Sequence, residues 1–205
     1  MFRTTRSFVR GTAFALVLAA APISTATASQ STSRQAVPIE VRAANLNPGQ
    51  YVWRPQRAAT GAVEVVVSLP QQMAYVYRGG TLIGASTVST GMEGHETPAG
   101  TFEILQKREE HYSNIYDNAP MPFMQRLTWD GIALHAGAIP GRPASHGCVR
   151  LPMAFARALY GVTSLGATVH IIEAAPSSPV DALEFARGMA PAREEIATVL
   201  ASTAP

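Results

Sequence analysis

From Ala62 onward the chain breaks into short apolar, β-branched runs separated by Gly, Pro and Asp-Gly, and this pattern restricts its fold more than any other feature. AVEVVVSL (62–69), GTFEILQKRE (100–109) and ATVHIIE (167–173) each read as one strand. MAYVYRGGTLIGASTVST (73–90) reads as two strands joined through Gly79-Gly80, a hairpin signal. FMQRLTWDGIALHAG (123–137) gives two more, broken at Asp130-Gly131. One segment has helical spacing instead. PMAFARALYGV (152–162) predicts a short helix with Pro152 in its first turn and Met153, Ala156 and Leu159–Tyr160 facing the core. The expectation is a mostly β domain over 62–174 with one packed helix. PVDALEFARGM and PAREEIATVLAS predict a helical or flexible tail over 177–205. No internal repeat is present. Residues 29–60, rich in Ser, Thr, Gln, Ala and Pro, read as a linker with one short ordered piece near Tyr51–Trp53.

The first 28 residues carry an export signature. Arg3, Arg6 and Arg10 precede an apolar run from Thr12 to Pro22, and Ala26-Thr27-Ala28 offers small residues for cleavage. The apolar run is shorter than the ~20 residues that span a bilayer, which argues against a retained membrane anchor. Cleavage after Ala28 lowers Lys+Arg from 16 to 13 against 14 Asp+Glu, so the net charge moves from +2 to −1. No basic block remains to bind nucleic acid. The expected compartment is the periplasm or cell envelope, with no membrane span after cleavage.

Such compartments are oxidising, and the chain has one cysteine, Cys148, which has no intramolecular partner. Burial as a small apolar residue is the plain explanation. Its surroundings, Ser145-His146-Gly147-Cys148, favour a reacting thiol. His146 stands two residues before Cys148, on the same side if the chain is extended. His135 ends a strand, and the Gly- and Pro-bearing loop after it is long enough to return the chain beside Cys148. Arriving from a separate strand, His135 can meet the sulfur head-on as base, and as imidazolium it would lower the thiol pKa. His146 would instead fix the loop. The N–H groups of Gly147 and Cys148 are candidate oxyanion donors. A zinc site built on His135, His146 and Cys148 is the competing reading. It lacks a fourth ligand at a recognisable spacing, so no metal is expected.

The stretch HAGAIPGRPASHGCVRLP (135–152) resembles the signature of the L,D-transpeptidase (YkuD-type) catalytic domain: a histidine, a loop, then Ser/Thr-His-Gly-Cys. The runs STG (89–91) and TPAGTF (97–102) resemble a second stretch of that family. The resemblance implies a β-sandwich-like, mostly antiparallel fold with one packed helix. It implies a cysteine acyltransferase of peptidoglycan biosynthesis and cell-wall biogenesis, with a part in cell shape and no cofactor. Its substrates would be stem peptides, and its acyl acceptor an amine of another stem peptide (a 3→3 cross-link) or of an envelope protein. It assigns Cys148 as nucleophile and His135 as base, oriented by the carbonyl of Ala136. Ser145, His146 and Gly147 shape the loop and oxyanion site. Arg150 is a candidate for holding a substrate carboxylate or, alternatively, for an internal ion pair. Tyr116 and Tyr112 are candidates for a cleft-lining tyrosine, against a plain surface-loop reading. The alternatives in function are a hydrolase on the same substrates, a non-catalytic wall-binding module, and a structural domain with a buried thiol.

Overall fold

A computed structural model of the chain describes Met1 and residues 37–188; the export signature and the last seventeen residues lie outside the described residues. Two sheets hold the structure. The larger contains β1 (Tyr51–Trp53), β2 (Val63–Ser68), β3 (Met73–Arg78), β4 (Thr81–Thr87), β5 (Gly100–Glu103) and β10 (Thr168–Ile172), in the spatial order β1-β4-β3-β2-β10-β5. The smaller contains β6 (Gln106–Arg108), β7 (Met124–Arg126), β8 (Ala133–Ala136) and β9 (Val149–Leu151), in that order. All neighbours are antiparallel except β2–β10 and β8–β9. The Gly79-Gly80 turn joins β3 to β4 with φ of 54° and 78°, left-handed values that glycine adopts without strain.

Helix α2 (Met153–Val162) packs between the sheets. Phe155, Ala156 and Leu159 face inward and meet Val65, Val67 and Ile83 of the large sheet and Leu134, Val149 and Leu151 of the small one. Lys107 Nζ donates to the free carbonyls of Tyr160 and Thr163, tying the helix C-terminus to β6. Val66, Tyr75, Tyr77 and Leu82 point to the other side of the large sheet. Helices α1 (Ile39–Ala43) and α3 (Pro179–Ala186) cover them with Ile39, Ala43, Ala182 and Leu183. Burial of both faces explains why β2 reads as a continuous apolar run and not an alternating one.

Several expectations need correction. GTFEILQKRE is two strands in different sheets, because Ile104 turns inward to the core between them. Pro152 caps α2 from outside its first turn, and Met153 is half-exposed. The strand β9 directly after Cys148 was not expected; it is three residues long and too short for periodicity to register. In the stretch read as a linker, residues 39–57 are packed. Tyr51–Trp53 pairs with β4, and the Trp53 ring meets Phe155 edge-on at 5.5 Å between centroids. Gly84 makes room for it, since a Cβ there would stand 2.3 Å from the indole. The tail helix α3 packs back on the sheet, with Tyr77 Oη donating to Pro179 O.

A Trp53→Ala variant is expected to lose about 2–3 kcal/mol of stability in urea unfolding, somewhat under the cost of truncating a fully buried aromatic. A loss below about 0.5 kcal/mol, as for a surface position, would show that the segment is a detached linker.

Candidate active site

The parallel pairing of β8 with β9 sets the geometry of the site. Leu134 pairs with Val149, His135 with Arg150 and Ala136 with Leu151. Side chains alternate across a strand, and Leu134, Ala136, Val149 and Leu151 all enter the core. Ala133, His135, Cys148 and Arg150 therefore share the opposite face. There His135, Cys148 and Arg150 line a cleft of about 440 Å³, whose walls include Tyr116, Met121 and Met153.

Cys148 stands one residue before β9, in a bend. Its Sγ–H donates to Gly131 O at 3.4 Å, and it packs beside Met121, Met124 and Ala133. Burial raises the thiol pKa above its ordinary value, opposed in part by the Ala133 N–H and by the Arg150 and Arg126 guanidinium groups. His135 is 7% exposed, and its Nδ1–H donates to Ala136 O at 2.8 Å. A carbonyl only accepts, so Nδ1 carries the proton and Nε2 keeps its lone pair. Burial pushes this imidazole down to about 4, partly offset by the Ala136 bond and reinforced by Arg150 and His111. These directions favour the neutral form of each group, against the expected imidazolium–thiolate pair. The cause is desolvation, which disfavours both charged forms.

The turn from Ser145 to Cys148 is held from several sides. Ser145 N–H donates to Thr90 O, and Met92 N–H to Ser145 O, both at 3.0 Å. Ser145 Oγ donates to Cys148 O and accepts from Gly147 N–H at 3.1 Å. Thr97 Oγ1 donates to Gly147 O at 2.8 Å and accepts from Gly91 N–H at 2.8 Å. Gly147 has φ 111°, and a Cβ there would stand 2.8 Å from Ile132 Cδ1. Of the two candidate oxyanion donors, Gly147 N–H is engaged by Ser145, and Cys148 N–H has no partner among the described residues.

His146 does not lie on one extended face with Cys148, because the bend at Gly147 separates them. Its exposed ring stacks on Tyr116 (4.5 Å between centroids, 23° between planes) and meets His95 at 4.7 Å. Tyr116 thereby lines the cleft, whereas Tyr112 borders a neighbouring groove with Glu109 and Arg157. Arg150 lines the cleft, its stem within 3.0 Å of where a Gly137 Cβ would be, and makes no ion pair among the described residues. Among the described residues no three His, Cys, Asp or Glu side chains are grouped to hold a metal ion. Sequence reasoning missed Thr97, although the TPAGTF stretch had singled out its position, and the Gly131 carbonyl, for which no sequence signal exists.

The family model described as "L,D-transpeptidase catalytic domain" matches residues 62–171. No curated protein matches the chain. Among solved structures, an L,D-transpeptidase from Stackebrandtia nassauensis is 31% identical at a TM-score of 0.51, covering 56% of this chain and 57% of that one. An L,D-transpeptidase from Mycobacterium tuberculosis H37Rv is 23% identical at 0.52, covering 55% and 58%. L,D-transpeptidase 3 from Mycobacterium tuberculosis, solved with a faropenem-derived adduct, is 23% identical at 0.50, covering 54% and 60%. The last two show likeness of fold, and in each case the match spans less than two thirds of the other protein. With its two sheets, packed helix and His135–Cys148 cleft inside a match to more than half its length, the chain belongs to the L,D-transpeptidase catalytic domain family.

Proposed function

We propose that the chain is an exported cysteine transpeptidase that acts on peptidoglycan stem peptides in the cell envelope. The observation that carries this reading is the placement of His135 and Cys148 on one face of paired strands, with His135 Nε2 unprotonated above an apolar cleft. Cys148 Sγ attacks the carbonyl of the stem-peptide bond and gives its proton to His135 Nε2. The carbonyl π pair moves to oxygen, which accepts from the free Cys148 N–H. Collapse breaks the C–N bond, and His135 returns the proton to the departing amine, leaving a thioester on Cys148. An acceptor amine then attacks, passes a proton to His135, and releases the thiol. Arg150, without a carboxylate partner among the described residues, holds a substrate carboxylate. His146 and Tyr116 wall the cleft, and Ser145 and Gly147 shape the turn. The apolar walls at Ile115, Met121 and Met153 limit water at the thioester, which supports transfer to an amine over hydrolysis. That amine belongs to another stem peptide or to an envelope protein.

Cys148→Ala is expected to abolish the mass adduct formed with a carbapenem or with faropenem, while wild type gains one adduct per chain. An adduct on the variant, by intact mass, removes Cys148 as nucleophile. His135→Asn should slow acylation at pH 7 at least about a hundredfold.

The neutral resting pair also sets the pH dependence. Acylation by wild type should hold its rate down to about pH 5 and fall near pH 4, because His135 titrates at about 4. An acid limb near 6.5 would mean that His135 is not desolvated. The same shift acts on stability. The folded pKa is below the unfolded ~6.5, so His135 costs nothing above pH 6.5, and stability falls as pH drops from 6.5 to 4. The loss is about 3 kcal/mol. Urea midpoints at pH 7 and pH 4 should show that loss in wild type, and His135→Asn should be flatter by that amount.

A further inference from the structure

We infer that Thr97 is a positioning residue for acyl transfer: its hydroxyl locks the Gly147–Cys148 peptide so that the Cys148 N–H faces the developing oxyanion. The inference rests on the cysteine acyl-transfer reading above.

Thr97 lies at the start of TPAGTF, fifty positions upstream of Gly147, and is almost fully buried. Its Oγ1 has one proton, and Gly147 O takes it at 2.8 Å; the same oxygen accepts from Gly91 N–H at 2.8 Å. The hydroxyl is therefore satisfied on both sides and fixed in rotation. In a trans peptide the C=O and the following N–H point in opposite directions. A carbonyl of Gly147 held on Thr97 thus sends the Cys148 N–H away from Thr97. There it meets no acceptor among the described residues. Gly147 makes this lock necessary. Its φ of 111° is open to glycine without Cβ strain, and a glycine-bearing peptide rotates more readily than others. Ser145 holds the neighbouring peptide through Gly147 N–H, but among the described residues only Thr97 holds the Gly147 carbonyl. Gly91 completes the arrangement: a Cβ there would lie 1.9 Å from His95 O and 2.7 Å from Thr97 N, so the loop that carries Thr97 can close on Gly91 only if that residue lacks a side chain.

The test compares two electrophiles at Cys148. Iodoacetamide is displaced at a saturated carbon: the S–C bond forms, iodide leaves, and no oxyanion arises. Faropenem is attacked at its lactam carbonyl: the S–C bond forms, the π pair moves to oxygen, then the lactam C–N bond breaks and its nitrogen takes the proton. Thr97→Val and Thr97→Ala should slow faropenem acylation about 10- to 100-fold, with iodoacetamide alkylation within twofold of wild type. Thr97→Ser, which keeps the hydroxyl, should acylate within about threefold of wild type. Wild-type acylation in Thr97→Val overturns the inference, and so does a parallel fall in alkylation, which would mean that Thr97 only holds the thiol. Failure of both deletion variants to fold also overturns it, since the bond is then structural. A faropenem adduct on Cys148→Ala instead sinks the acyl-enzyme reading itself.

Discussion

The site depends on one pairing, that of β8 with β9. Parallel neighbours need a crossover, usually helical, and here residues 137–148 make it with no helix at all. An irregular crossover must satisfy its own backbone groups. It does so on the 89–92 segment, where Ser89 pairs with Arg150 and Gly91 bridges to Ser145. Those contacts return the chain in a register that sets His135 opposite Arg150, with Cys148 two residues further back on the same face. A slip of one residue would turn Cys148 into the core and Val149 into the cleft. The apolar pair Val149 and Leu151, buried against α2, makes that slip costly.

Desolvation then acts on the charge of His135 and Cys148. A thiolate and an imidazolium attract each other, and in a wet site their attraction would hold the pair ionised. Here the His135 ring is nearly sealed, the thiol packs among Met121, Met124 and Ala133, and Arg150 adds positive charge beside the imidazole. Loss of hydration raises the thiol pKa and lowers that of the imidazole, which favours the proton on sulfur. The thiol is parked on the Gly131 carbonyl, which stabilises the protonated form. On the proposed reading, proton transfer accompanies attack on the substrate and does not precede it. A protonated, half-buried thiol resists oxidation better than a thiolate.

Much of this was legible in the sequence, and the exceptions have definite causes. The Gly79-Gly80 hairpin, the Asp130-Gly131 break and the closing strand follow from local chemistry, as do the inward faces of Ala156 and Leu159. The short strand β9 escaped because three residues carry no period. The split at Ile104 escaped because an apolar run looks the same whether it stays in one sheet or passes between two. Residues 39–57 looked like a linker by composition, yet a single Trp53 seated over Gly84 joins them to the core. At the site, residue types announced themselves, since Cys148 is unique and His135 ends a strand. Their protonation states did not, because burial is a property of the folded cleft.

The turn that presents Cys148 shows how side-chain hydroxyls substitute for secondary structure. Residues 146–148 belong to no helix or strand, so the Gly147 and Cys148 backbone groups cannot be paired by a ladder. Ser145 supplies one hydroxyl, accepting from Gly147 N–H and donating to Cys148 O; Thr97 supplies another, donating to Gly147 O. Three of the four polar groups flanking the Gly147–Cys148 peptide are thus satisfied. The fourth, the Cys148 N–H, remains open beside the sulfur. A short turn with two hydroxyls at hand leaves this donor without a partner among the described residues. Its persistence is intelligible if the missing acceptor arrives with the substrate, as the carbonyl oxygen on which negative charge gathers. The hydroxyls of Ser145 and Thr97 then have complementary tasks: they remove every alternative partner from the turn and leave one donor whose direction is fixed before the substrate enters.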